Sequence, residues 1–197
     1  MESTPVRVCL AGATGRVGQA LARAVADAAD LALVAGEQSA DLVLCHSVLE
    51  YVDSPSAAMA AIATVLRPGG AVSVLTASAV AAVIHRALAG RFDEARRLLT
   101  GIGNAAGNGS GPAAGGPGRP GAGPRRFTLA AVTGLIEQAG LRPGPAQGVR
   151  VFADLVPRVV ADADPGAEQA LQGLELAVSA HPAFHDFASQ FHVLGYR

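Results

Sequence analysis

The sequence predicts an α/β fold built on a mostly parallel sheet, and three observations carry that expectation. Short apolar runs of strand length alternate with longer Ala- and Leu-rich stretches at helical spacing. The first run ends in a glycine-rich turn that opens a helix. The last run, 189–196, alternates as a late antiparallel strand does. The 197 residues suit one domain with a single substantial core.

Each element follows from its residues. Val6–Gly12 reads as a buried strand, and 16–29 as a helix with Val17, Leu21, Ala24 and Val25 on one face. Strands follow at 31–36 and 41–46, with too few residues between them for a crossover helix. Pro55 suits the first turn of a helix over 55–67, striped by Ala58, Ile62, Val65 and Leu66 and stopped by Arg67-Pro68-Gly69-Gly70. A strand at 71–76 leads to a helix at 79–90 and a short helical turn at 93–99. Of the 24 residues 101–124, fourteen are Gly or Pro, so this segment is expected to be a disordered loop. Thr128 is the expected N-cap of a helix over 129–139, closed by Gly140. A strand at 147–153 and a helix at 165–180, with Leu171, Leu174 and Val178 inward, complete the order before the terminal strand.

Composition narrows the chemistry. Half of the residues are hydrophobic, 4% are aromatic, 16% are charged, and the formal net charge is −1. All 15 basic residues are Arg. Schiff-base and phosphate-loop lysine chemistry is therefore excluded. No global basic field holds nucleic acid, although a local Arg patch remains open. Cys9 and Cys45 sit in apolar runs and read as small core residues. With no signal-like start and no apolar run long enough to span a bilayer, a cytoplasmic location without membrane contact is expected.

Gly12-Ala13-Thr14-Gly15-Arg16-Val17-Gly18 is the first candidate site. Gly12 allows a tight turn, Gly15 lets backbone approach a ligand, and Gly18 lets the helix pack close to the sheet. The helix N-terminus offers free N–H groups. Glu37, about 20 residues on, is the candidate partner of a ribose diol. The same residues also make a plain strand-to-helix turn.

Residues 6–37 resemble the first strand, turn, helix and second strand of dihydrodipicolinate reductase, and GATGRVG also resembles atypical short-chain dehydrogenases. The resemblance implies NADPH or NADH binding. The reductase's histidine-lysine catalytic segment has no counterpart in a chain without Lys.

From Ala40 the chain is similar to class I S-adenosylmethionine-dependent methyltransferases. Asp41-Leu42-Val43, His46-Ser47-Val48-Leu49-Glu50-Tyr51-Val52 and Leu66-Arg67-Pro68-Gly69-Gly70 carry this likeness. Further on, 87–95, RRFT at 125–128, 139–141 and 148–157 resemble the tRNA 5-carboxymethoxyuridine methyltransferase group. The resemblance implies a Rossmann-like sheet and methyl transfer to an oxygen, a carboxylate on tRNA or on a small molecule. Gly12, Thr14, Gly15, Gly18 and Glu37 would then contact S-adenosylmethionine, His46 and Val48 would flank its methionine end, and Arg150 would clamp the acceptor carboxylate. The family's acidic first motif is absent, as are the helix and strand it places between the second and fourth strands. The expected organisation is therefore a nucleotide-binding-like segment, 1–38, joined to a methyltransferase-like core, 39–197, with an incomplete N-terminal cofactor half. A methyltransferase is favoured over a reductase-like nicotinamide binder and over a non-catalytic remnant.

Other residues carry open alternatives. His46 is a substrate or cofactor contact or a plain strand-end histidine. Glu50 and Asp53 contact a substrate or solvate a helix N-terminus. Arg125 and Arg126 touch RNA phosphate or are solvated. His181, His185 and His192 do not form a convincing ligand set, so no metal is expected.

Overall fold

A computed structural model describes residues 5–11, 16–28, 30–103, 124–157, 159 and 166–197. The expected loop 101–124 falls mostly outside these residues. Its first three residues instead complete a helix. The core is a six-stranded sheet of β1 (Val6–Leu10), β2 (Leu31–Leu33), β3 (Ala40–His46), β4 (Leu66–Ala77), β5 (Arg142–Val149) and β6 (Gln190–Tyr196). Its order is β2-β1-β3-β4-β6-β5. β1 pairs parallel with β2 and β3, and β3 parallel with β4, while β6 runs antiparallel to β4 and β5. This is the Rossmann-like, mostly parallel architecture read from the sequence.

The helices are α1 (Arg16–Asp27), α2 (Pro55–Val65), α3 (Ala79–Leu88), α4 (Phe92–Gly103), α5 (Leu129–Gln138) and α6 (Ala167–Ser179), with a 3-10 segment at Pro182–Phe187. Three of them start on side-chain caps. Ser54, Ser78 and Thr128 accept from the N–H groups of Ala57, Ala81 and Ala131. Gly90 and Gly140 follow α3 and α5 with φ of 73° and 77°, a conformation open to glycine at a helix end.

The main core fills one sheet face. Val43, Cys45, Val72, Val74 and Val193 point toward Met59 and Ile62 of α2 and toward Val132, Leu135 and Ile136 of α5. A smaller cluster joins Val151, Val178 and Ala188.

Several local expectations need correction. β4 begins at Leu66, immediately after α2, and carries an irregular register across the Pro-Gly-Gly stretch before pairing resumes at Ala71. Gly70 suits that bulge, because a Cβ there would meet three backbone carbonyls at 3.0 Å. β5 ends at Val149, so the expected strand at 147–153 lies about five residues too late. Beyond it, the Glu175 carboxylate accepts the consecutive N–H groups of Val151, Phe152 and Ala153 at 2.7–2.8 Å. That arrangement cannot extend a sheet ladder. It also turns α6, so Leu174 is exposed where an inward position was expected. On α1, Val25 is buried but Ala24 is exposed.

Candidate active site

The chain leaves β1 toward β2 on one side and has β3 on the other. The expected ligand crevice of such a sheet is the place beyond the carboxyl ends of β1 and β3. Gly12, Thr14 and Gly15 lie outside the described residues, and Gly18 lies in the first turns of α1. The end of β1 is tied to β3 by the Ala11 N–H donating to the Leu44 carbonyl at 3.0 Å.

His46 is the last residue of β3 and sits on the crevice side. Ser47 follows with φ of 52°, a strained value for a residue with a side chain, and its N–H donates to the Leu75 carbonyl at 2.8 Å. Val48 packs partly buried against the core, Leu49 is fully buried and Tyr51 is exposed.

The loop after β3 is held from below. Glu50 is buried, and its Oε1 accepts the Ala77 N–H at 2.8 Å. Its Oε2 has no partner among the described residues. Glu50 thus braces the end of β4 through one carboxylate oxygen. Arg125 is a second brace. Its guanidinium donates to the carbonyls of Val52 and Asp53, and its N–H donates to the Glu50 carbonyl at 3.1 Å. The Arg125 guanidinium is therefore a loop clamp, and Arg126 beside it is exposed.

Two expected site residues lie apart from His46. Glu37 was placed at the carboxyl end of the second strand, but β2 stops at Leu33. With no crossover helix, residues 34–39 return directly to the amino end of β3. There the Gln38 and Ser39 N–H groups donate to the carbonyls of Thr64 and Val65 at 2.9 Å. Glu37 is exposed on this return, about 20 Å from His46 at the strand rise of ~3.3 Å per residue. Arg150 lies just past β5 with φ of 58°, exposed and ion-paired with Asp154. It is not at a strand centre. Asp154 also accepts from the Ser189 hydroxyl at 2.6 Å.

The sequence reading missed the arrangement around His46. Its Nε2 lies 2.8 Å from Ser73 Oγ, and Ser73 Oγ lies 2.8 Å from His192 Nε2. The rings stand edge-on with centroids 6.2 Å apart. Burial holds both imidazoles below the usual histidine range, and His192 adds to the effect on His46. Ser73 carried no local signal. It meets the histidines only through strand register. No group of three or more metal-ligating side chains occurs among the described residues, and none of their helices is long and apolar enough to cross a membrane.

Comparison with known proteins adds the following. A family model described as "Methyltransferase domain" matches residues 8–74. The tRNA 5-carboxymethoxyuridine methyltransferase of Escherichia coli (strain K12) is 40% identical over 57 residues, which span 29% of this chain and 22% of the relative. An S-adenosylmethionine-dependent methyltransferase from Mesorhizobium loti superposes with a TM-score of 0.50 at 13% identity, covering 99% of this chain and 92% of that one. The [4+2]-cyclase SpnF matches equally in fold, with a TM-score of 0.50 at 14% identity over 99% and 75% of the two chains. The fold is that of class I S-adenosylmethionine-dependent methyltransferases. A cyclase on the same fold shows that the fold alone does not set the chemistry. The family match begins inside β1 and runs through the glycine turn, so methyltransferase likeness is not confined to residues after Ala40.

Proposed function

We propose that the protein is an S-adenosylmethionine-dependent methyltransferase. One observation carries the reading. The matched span 8–74 coincides with the strands and helices from β1 to β4, whose carboxyl ends border the crevice where His46 stands. The residues there fit the methionine end of the cofactor. A sulfonium is cationic, and imidazoles held neutral present no opposing charge to it. His46 and Val48 would border that end, and Gly12, Thr14, Gly15 and Gly18 would follow its remainder. Glu37 does not fit the ribose, because it lies at the other end of β3. When bound, the cofactor supplies an electrophilic methyl group. The chain's task is to align the acceptor with it and to exclude water.

The acceptor expected from sequence, a carboxylate on tRNA or on a small molecule, rests on Arg150. For that role Arg150 exchanges Asp154 for the acceptor, a swap between two carboxylates. The boundary near residue 38 would divide the nucleotide-binding-like segment 1–38 from the core 39–197.

Thermal melting with S-adenosylhomocysteine, and separately with NADPH, tests the reading. A rise in Tm with S-adenosylhomocysteine alone is expected, by about 2.7 kcal/mol of stabilisation at a hundredfold excess over Kd. A rise with NADPH alone refutes it in favour of a nicotinamide binder. No rise with either refutes it in favour of a remnant.

A further inference from the structure

We propose that His46, Ser73 and His192 form a proton relay, and that the methyl acceptor is therefore a hydroxyl or a nitrogen that carries a proton. The inference rests on the methyltransferase reading and assigns an acceptor class in place of the carboxylate expected from Arg150.

Register builds the relay. His46 pairs with Leu75, and Leu75 with His192, so the two histidines occupy one row across β3, β4 and β6. Ser73 lies two residues before Leu75 and so on the same face. That face is opposite the core face of Val72, Val74 and Val193. Both rings turn from the row onto the single buried hydroxyl between them.

The hydroxyl has one proton and cannot donate to two ring nitrogens. Two rings donating to the two Oγ lone pairs would leave the buried Ser73 proton without an acceptor among the described residues, so one ring donates its Nε2–H to Ser73 Oγ while the other accepts from it. The two imidazoles are therefore opposite tautomers, one with a free Nδ1 lone pair and one with a free Nδ1–H. No carboxylate hydrogen-bonds to either ring among the described residues. Nothing there fixes a permanent charge, and burial keeps both rings neutral. A serine needed only for packing is satisfied by one partner. Two neutral bases on one hydroxyl make a chain that takes a proton at one end and releases one at the other.

His46 is the end nearest the crevice. As an acceptor O–H or N–H takes the methyl group from a sulfonium donor, the methyl–sulfur bond breaks with its electron pair left on sulfur. The acceptor's proton goes to His46 Nδ1. His46 Nε2 gives its proton to Ser73 Oγ, Ser73 gives its own to His192 Nε2, and His192 Nδ1–H passes to solvent. The products are the methylated acceptor, the neutral thioether and one proton. A carboxylate acceptor has no proton to remove and needs no such chain. In this scheme His46 is the catalytic base, and Ser73 and His192 are positioning residues.

Nitrogen-15 NMR of the histidine-labelled full chain tests the relay without a substrate. The expected spectrum shows one Nε2–H and one Nδ1–H tautomer for His46 and His192. Ser73→Ala should lose this pairing and Ser73→Thr should keep it. Both rings in the same tautomer, or a pairing unchanged in Ser73→Ala, overturns the relay. Methyl transfer from labelled S-adenosylmethionine to unfractionated tRNA, phenols, amines and carboxylic acids tests the acceptor class. Base-stable ether or amine products are expected, with Ser73→Ala and His192→Gln lowering kcat about tenfold to a hundredfold at little change in cofactor KM. Ser73→Thr should retain activity. Products released by alkali as methanol, or no product at all, overturn the acceptor assignment. Failure to bind S-adenosylhomocysteine instead marks failure of the methyltransferase reading itself.

Discussion

Asp41 ties three strands at the amino end of the sheet, and its charge should be measurable as stability. Its carboxylate accepts the Arg7 N–H at 2.6 Å and the Arg7 Nε–H at 3.3 Å, and it also pairs with the Arg67 guanidinium. The Arg7 N–H is the largest single cause that holds Asp41 down at about 2, against an ordinary 3.8. A depression of nearly two units corresponds to ~2.5 kcal/mol at neutral pH. The side chains of Arg7 and Arg67 are 40% and 49% exposed. Solvent screening therefore reduces the expected value to ~1–2 kcal/mol.

The sign follows from the depressed value. The folded state resists protonation, so the contribution is complete above about pH 4 and is lost as the pH falls toward 2. Asp41→Asn cannot hold the charge at any pH. Urea unfolding at pH 7 should place the variant ~1–2 kcal/mol below wild type, and at pH 3 the gap should shrink to about half. Binding of S-adenosylhomocysteine should not change, because Asp41 lies at the end of β3 away from His46. An equal gap at both pH values would show that packing, not charge, sets the effect. No gap at either pH would refute the argument entirely.

Other expectations are local and direct. Glu175→Ala leaves three consecutive N–H groups without their acceptor and should cost ~2–4 kcal/mol in urea unfolding. Gly195→Ala puts a Cβ at 2.9 Å from Ile136 Cγ2 and 3.0 Å from Val72 Cγ1. The resulting overpacking should lower stability by ~1–3 kcal/mol. Ser47→Gly relieves the positive φ and should raise stability by ~0.5–1 kcal/mol by thermal melting. Burial pushes the Cys45 thiol up to about 12, so a disulfide reagent should leave Cys45 unmodified in the native protein and label it only after unfolding.

Elements with strong local chemistry were legible in the sequence. Thr128 and Gly140 bracket α5 because a cap and a left-handed end are one-residue signals. Pro55 marks the start of α2 for the same reason. The strand expected at 147–153 failed because its apolar residues Val151 and Phe152 belong to a turn held by a carboxylate 22–24 residues away. The histidine cluster failed for a related reason. His46, Ser73 and His192 lie on three strands, with Ser73 and His192 119 residues apart, and only the registers of β3 and β6 on β4 join them. Periodicity gives a strand's faces but not its partner's offset.

The direct return from β2 to β3 explains both the weakest and the strongest parts of the site. A crossover helix there would let the second strand run on toward the crevice, with a carboxylate at its tip. Without it, the chain turns back at Val34, whose N–H reaches the Val8 carbonyl, and Glu37 is carried to the sheet's amino end. The same shortening leaves β2 as an edge strand of three residues. No helix lies between β2 and β3 to cover the face opposite α2 and α5. That face is the one on which His46, Leu75 and His192 sit half-buried. A relay needs access to solvent at its far end, and a fully covered sheet face would close it. The direct return that carries Glu37 to the amino end is thus compatible with the proposed relay, whose residues stand at the opposite end of β3.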